Sequence, residues 1–475
     1  MSNPLCLRDC ILAAAASPAA AACRRGLIDA FRRLLQVAAL LLAGAALAGL
    51  PACSTTTPAP EGSVGDSAVP RHKRPAQASG PGIDQPLLIL VSLDGFHPDY
   101  LARGLTPTLN RLAAEGTRAR WLQPSFPSKT FPNHYTVVTG LIPDHHGIID
   151  NTMLDPELGR FALRNRDAVS DPRWWGGEPI WNTARRQGLR SATMFWPGSE
   201  APIGGHHPHY WLPYDGAMTI DERLDQLFQW LDLPGEQRPH LVTLYFEQVD
   251  TIGHRLGPNA PELREAIADQ DRALAQLLDG LAQRDLLPGT NLIITSDHGM
   301  AALDPEHTVY LEDLIDPALI EHDQVEIVTL SEITAFNLAP DVPAAAIDHL
   351  LAADEGIECH RREHTPTHWR YGSHPRVADI VCLLEDGWRI RSRSLFANRP
   401  WAGSNNRGSH GYDPRLPSMR ALFIGHGPAF TRGLEVPPFQ NIHIYPMLAR
   451  LLGIETAAND GDPQVTVNMH PPGVP

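Results

Sequence analysis

The 475-residue chain carries 39 Lys and Arg against 54 Asp and Glu, a formal net charge of −15. That balance repels a phosphate backbone and excludes tight nonspecific binding of long nucleic acid. Hydrophobic residues make up 43%, enough for a sizeable core, which excludes global disorder.

Residues 1–53 read as a targeting segment. Arg24, Arg25, Arg32 and Arg33 precede an apolar, uncharged run over 34–50, whose length fits a signal h-region and is short for a membrane span. Ala46-Leu47-Ala48 offers a cleavage site. Leu50-Pro51-Ala52-Cys53 offers a lipobox, through which Cys53 would carry a membrane-anchoring lipid. Export to the periplasm is the expectation, with a retained anchor helix as the plainer alternative. Residues 54–86, rich in Pro, Ala, Gly, Ser and Thr, read as a disordered linker. A catalytic domain is expected over 87–455 and a tail over 456–475.

Strands are expected at 87–93, 191–196, 241–246, 291–295 and 421–424, and helices at 106–115, 179–187, 220–231, 261–284 and 442–452. Strands alternating with amphipathic helices predict an α/β fold, a mostly parallel sheet sandwiched by helices. The less regular stretch 304–401 reads as a smaller inserted cap, with a few strands and a helix at 342–353. Of six cysteines only Cys359 and Cys382 lie in the body of the chain. In an exported protein they could form a disulfide, and buried free thiols are the alternative. The absence of CxxC spacing argues against a cysteine zinc site.

Four motifs carry chemistry: Ser92-Leu93-Asp94-Gly95-Phe96, Val249-Asp250-Thr251-Ile252-Gly253-His254, Thr295-Ser296-Asp297-His298-Gly299-Met300 and Gly408-Ser409-His410-Gly411-Tyr412. Taken singly, each has a plain explanation as a turn, a cap or a helix-face pair. Three of them follow expected parallel strands, however, and ligands bind at the carboxyl ends of such strands. Aspartate and neutral histidine are the oxygen and nitrogen donors zinc accepts. Three carboxylates in one crevice would raise one another's pKa unless cations sat among them.

The candidate nucleophile is Thr130, in Phe126-Pro127-Ser128-Lys129-Thr130-Phe131-Pro132-Asn133-His134. Pro132 suits the first turn of a helix, placing Thr130 where free backbone N–H groups attract phosphate. A threonine hydroxyl needs activation, by a metal for example. Without the other motifs it would read as a helix cap. Lys129 and His134 read as structural or supporting residues.

Thr130-Phe131-Pro132-Asn133-His134, with Asp94, Asp250-x-x-x-His254, Asp297-His298 and His410, resembles the nucleotide pyrophosphatase/phosphodiesterase family of the alkaline phosphatase superfamily, in its short bacterial form. The resemblance runs from about residue 87 to 454. It implies an alkaline-phosphatase-like core and two Zn2+ ions. Asp250, His254 and His410 would hold one, and Asp94, Asp297 and His298 the other, together with Thr130. It further implies that Asn151 and a backbone N–H near Phe131 contact the phosphoryl group, and that Phe131 and Tyr245 sandwich a nucleobase. Thr130 would attack phosphorus, and the phosphothreonine would then be hydrolysed to release a nucleoside monophosphate. Rival expectations are a phosphomonoesterase or phosphonate hydrolase of the same superfamily and an inactive metal- or nucleotide-binding protein.

Overall fold

The computed structural model describes residues 87–352, 355–393 and 406–473. The targeting segment, the Cys53 lipobox and the linker lie outside the described residues. The strands of the two larger sheets are, in chain order, β1 (Leu87–Leu93), β2 (Thr117–Ala119), β3 (Ser191–Met194), β4 (Tyr210–Leu212), β5 (Leu241–Phe246), β6 (Thr290–Thr295), β7 (Val325–Leu330), β8 (Ile333–Leu338), β9 (Ile357–Arg361), β10 (Ile380–Leu384), β11 (Phe423–His426) and β12 (Leu434–Val436). Helices used below are α1 (Pro107–Glu115), α2 (Thr130–Thr139), α3 (Ile180–Arg186), α4 (Ile220–Leu231), α5 (Gln248–Leu256), α6 (Pro261–Gln283), α7 (Ala344–Leu351) and α8 (Ile444–Leu452).

The main sheet has eight strands in the order β12-β2-β11-β6-β1-β5-β3-β4. β4, β3, β5, β1 and β6 are parallel. β11 runs against its neighbours β6 and β2. β1 shows why the sheet is covered on both faces. Successive side chains on a strand point to opposite sides. Leu88 and Leu90 join a core with α2, α3 and α8, while Ile89, Val91 and Leu93 join another with α1, α4 and α6. Seven consecutive apolar or small residues therefore form a strand buried on both sides.

β7 to β10 form a second, antiparallel sheet in the order β7-β8-β10-β9, with α7 between β8 and β9 in sequence. Cys359 and Cys382 face each other across β9 and β10 and are joined as a disulfide. The residues after 455 include a 3-10 turn over Pro463–Met469. Its buried Met469 accepts a hydrogen bond from Thr431 N–H.

Several boundaries move for physical reasons. The strand expected at 191–196 stops at Met194, because Phe195 adopts φ 63°. The helix expected at 442–452 begins at Ile444, after a 3-10 turn over Asn441–His443. The helix expected at 342–353 is observed over Ala344–Leu351, with Pro343 at its N-cap.

Candidate metal centre and active site

The sheet brings the acidic and imidazole side chains together from segments remote in sequence. Asp94 follows β1, and its N–H bonds Phe246 O at the end of β5. Gly95 turns the chain at φ 67°, and a Cβ there would lie 3.1 Å from Cα of Asp250, so glycine lets this loop close on α5. Asp250 and His254 lie one turn apart on α5, on one helix face. Asp297 and His298 follow β6. Gly408–Ser409 pairs antiparallel with Ala301–Ala302, which holds the following His410 against the site.

Each of the three expected imidazole ligands is oriented by a backbone carbonyl. Nδ1 of His254 bonds Gly408 O (3.0 Å), that of His298 bonds Gly299 O (2.9 Å) and that of His410 bonds Ser128 O (2.8 Å). A carbonyl oxygen only accepts, so Nδ1 carries the proton and Nε2 presents a lone pair. Burial lowers the pKa of His298 and His410, which keeps both rings neutral.

The bare Nε2 atoms face carboxylates. Those of His254 and His410 each lie 3.5 Å from Asp250 Oδ1. Nε2 of His298 lies 3.6 Å from Asp94 Oδ1 and 2.8 Å from Asp297 Oδ2. Asp94 Oδ1, Asp250 Oδ1 and Asp297 Oδ2 are all buried without a hydrogen-bond partner. The opposite oxygens of two of them are engaged: Asp94 Oδ2 accepts from Tyr245 OH (2.6 Å) and Asp297 Oδ1 from Gly95 N (3.2 Å). Lone pairs aimed at one another are repulsive until a cation stands between them. Burial, then Asp297 and Asp250, raises the Asp94 pKa, and burial, then Asp250, raises that of Asp297. This donor set fits divalent metal ions.

Two overlapping groups have the required proximity: Asp250 with His254 and His410, and Asp94 with Asp250 and His298. Asp94, His134 and Asp297 form a third, but both nitrogens of His134 are engaged. Nδ1 donates to Thr130 O (2.8 Å), and Nε2 accepts from Ser92 Oγ (2.7 Å). His134 therefore supports the site, as its sequence position suggests, and offers no donor atom.

Thr130 is the first residue of α2, with Oγ1 3.4 Å from His298 Nε2. It opens into a cavity of about 620 Å³ lined also by Asp94, Phe131, Asn151, Tyr245, Asp250, His254 and His410. The Phe131 N–H donates to Asn151 Oδ1 (2.9 Å). That bond fixes the amide and leaves Nδ2 as the donor on a residue lining the cavity. One expectation about this cavity needs correction, that for Tyr245, which is not an open aromatic face. It is buried, its hydroxyl is bound to Asp94, and its ring meets His134 edge-on at 5.1 Å. Tyr214, which sequence reasoning missed, lines the same cavity and is 37% exposed. Its only sequence signal is an aromatic just after the apolar Tyr210–Leu212, too short a run to read as a strand.

Residues 88–413 match the type I phosphodiesterase / nucleotide pyrophosphatase family. An uncharacterized pyrophosphatase/phosphodiesterase of Schizosaccharomyces pombe is 36% identical over 395 residues, covering 81% of this chain and 80% of that protein. A venom phosphodiesterase of Macrovipera lebetinus is 38% identical, covering 80% and 44% respectively. Human ectonucleotide pyrophosphatase/phosphodiesterase family member 1 is 36% identical, covering 80% and 41%. The chain thus spans about four-fifths of the S. pombe relative but less than half of the venom and human proteins. Among solved structures, murine ectonucleotide pyrophosphatase/phosphodiesterase 5, an inactive threonine-to-alanine variant in complex with AMP, aligns with a TM-score of 0.76 and 30% identity, over 82% of this chain and 100% of that one.

The fold is alkaline-phosphatase-like α/β, with a cluster of carboxylates and imidazoles placed so that it could hold metal ions. The chain belongs to the type I phosphodiesterase / nucleotide pyrophosphatase family.

Proposed function

We propose that this protein is a two-zinc phosphodiesterase that cleaves nucleotide phosphodiester or pyrophosphate bonds and releases nucleoside monophosphates through a phosphothreonine at Thr130. One observation carries the reading: the bare Nε2 atoms of His254, His298 and His410 face unpartnered oxygens of Asp94, Asp250 and Asp297 beside Thr130 Oγ1. Asp250, His254 and His410 would hold one ion. Asp94, Asp297 and His298 would hold the other, with Thr130 as a further ligand. Bound zinc supplies Lewis acidity, favouring the ionised hydroxyl and offsetting charge on the phosphoryl oxygens.

The chain's own residues then do the following. Thr130 Oγ attacks phosphorus in line, and the bond to the leaving oxygen breaks. Water cleaves the phosphothreonine, restoring the hydroxyl and freeing the nucleoside monophosphate. Asn151 Nδ2 donates to a phosphoryl oxygen, and the N-terminus of α2 favours the anion. Phe131 and Tyr214 flank the nucleobase, a mode that tolerates any base. The AMP complex of the murine relative supports a nucleotide in this cavity. Against a monoesterase, Lys129 is engaged with Glu332 and His410 O, which leaves it unavailable for a second phosphoryl charge.

Residues 87–455 would be the catalytic domain, with 304–401 its inserted cap. The protein would act outside the cytoplasm, in the periplasm or as a Cys53-anchored lipoprotein. The Cys359–Cys382 disulfide supports an oxidising compartment, and so do relatives named as venom and ecto-enzymes. No helix of the described residues is long and apolar enough to cross a membrane.

The test is hydrolysis of 4-nitrophenyl thymidine 5′-phosphate against 4-nitrophenyl phosphate on metal-analysed protein. The diester is preferred, two zinc ions are found per chain, and Thr130→Ala abolishes turnover while keeping the metal. Full activity in that variant, or in protein lacking transition metal, would sink the reading.

A further inference from the structure

We propose that Glu332 and Lys129 form a buried positioning pair through which the inserted sheet sets the geometry of Thr130 and His410. This rests on the nucleophile and ligand roles argued above. Glu332 stands in the turn between β7 and β8, and its carbonyl accepts from Leu384 N–H on β10 (2.9 Å). Its side chain, only 12% exposed, reaches the main domain. Oε2 pairs with Lys129 Nζ and Oε1 accepts from Ser409 Oγ. Lys129 Nζ also donates to His410 O (3.0 Å).

These partners each sit one bond from the chemistry. Lys129 is the N-cap of α2 and directly precedes Thr130. Its carbonyl accepts from Asn133 N–H, closing the first turn of that helix. Ser409 directly precedes His410, whose Nδ1 bonds Ser128 O. A single carboxylate thus bridges the segment carrying the nucleophile and the loop carrying a metal ligand. The path is shaped for the lysine. Gly411 has φ 120°, and a Cβ there would lie 2.4 Å from Lys129 Cε, so a side chain at this position would displace the lysine stem. Burial alone would raise the Glu332 pKa, and the Lys129 ammonium pulls it below its usual value. Removing either partner strands the other charge in a buried setting. Neither residue lines the substrate cavity, so the pair acts through Thr130 and His410 and does not touch substrate.

A simple structural tie makes a different prediction from a positioning pair, and kinetics separate them. Four proteins are compared at saturating zinc: Glu332→Ala, Glu332→Gln, the apolar double variant Lys129→Met/Glu332→Leu, and wild type. The readouts are kcat, KM and Tm. Displacing a reacting group by a fraction of an ångström to an ångström lowers kcat by about 10- to 100-fold. Glu332→Ala should show that loss with KM within about twofold, because Phe131, Asn151 and Tyr214 are untouched. The double variant should recover Tm, since apolar residues can replace a buried ion pair without loss, but it should not recover kcat. If kcat returns with Tm, or if Glu332→Ala keeps the wild-type kcat, the pair is only structural and the proposal is overturned. If Glu332→Ala does not fold, Glu332→Gln decides: it keeps the Ser409 acceptor and loses the charge, and an unchanged kcat overturns the proposal. Thr130→Ala run in parallel tests the underlying function separately, because its retained activity would refute the nucleophile whatever Glu332 does.

Discussion

Two tyrosines of the same cavity should fail in different ways when changed. Tyr214 offers an exposed ring, and Tyr245 offers a hydroxyl bound to Asp94 Oδ2 at 2.6 Å. A stacked aromatic contributes about 1–3 kcal/mol per base. Tyr214→Ala should therefore raise KM for a nucleotide ester by roughly 5- to 150-fold, with kcat little changed, because the base is bound equally in ground and transition states. Methyl 4-nitrophenyl phosphate has no base, so its kinetics should not move. Tyr245→Phe keeps the ring and deletes the donor to a candidate ligand. Losing such a supporting partner costs about 10- to 100-fold in metal affinity. Chelator-stripped Tyr245→Phe should need correspondingly more free zinc for half-maximal reactivation, while its KM for the nucleotide ester at saturating zinc stays at the wild-type value. The assignment is refuted if Tyr214→Ala weakens both substrates alike, or if Tyr245→Phe raises KM with unaltered zinc dependence.

Chelation should lower Tm and zinc should restore it. Each ion present at a thousandfold its Kd adds about 4 kcal/mol to stability, and a Tm indifferent to chelator would show that the cluster binds no ion. Asp150 provides a pH test. It is buried, with Oδ2 unpartnered, and burial pushes its pKa up to about 6 from an ordinary 3.8. Because the folded value is the higher one, its contribution to stability is complete below about pH 4 and is lost as pH rises through about 6. Asp150→Asn should thus be more stable than wild type near neutral pH, by up to about 3 kcal/mol, and should gain little near pH 3.5. Denaturant melts across that range check this, and an offset independent of pH contradicts it.

What was legible in the sequence was whatever is encoded locally. β1, β5 and β6 are each built on a short apolar stretch, and after β1 and β6 the ligand motif begins as the strand ends, which places Asp94 and Asp297 at strand ends from sequence alone. Asp250 and His254 were legible as a pair at helical spacing, although α5 itself was not foreseen: it carries few apolar residues and has Gly253 in its interior. β2, β4 and β12 span three residues each, too few to show a period, and exist through their neighbours in the sheet. The Tyr245 misassignment has the same origin. Burial is a tertiary property, and a tyrosine on a strand gives no local sign of which face its ring meets. Glu332 is the extreme case, since its partner Lys129 lies 203 residues away and nothing near either residue announces the other.

The hydrogen bonds also fix how the site must assemble. The ring of His254 is oriented by Gly408 O, on the loop that carries His410. The ring of His410 is oriented by Ser128 O, two residues before Thr130. The backbone of Thr130 in turn accepts from His134, which is wedged against Ser92 on the strand leading to Asp94. Of the three imidazoles, His298 is oriented within its own segment, by Gly299 O. His254 and His410 each borrow their orientation from a segment that carries another ligand or the nucleophile, so these groups and Thr130 should order together and not one by one. Such a closed chain keeps three bare nitrogens and three unpartnered oxygens aimed inward at a cost that only bound cations offset. The same chain explains why a carboxylate from the inserted sheet, bonded to the neighbours of both Thr130 and His410, can reach the chemistry without touching the cavity.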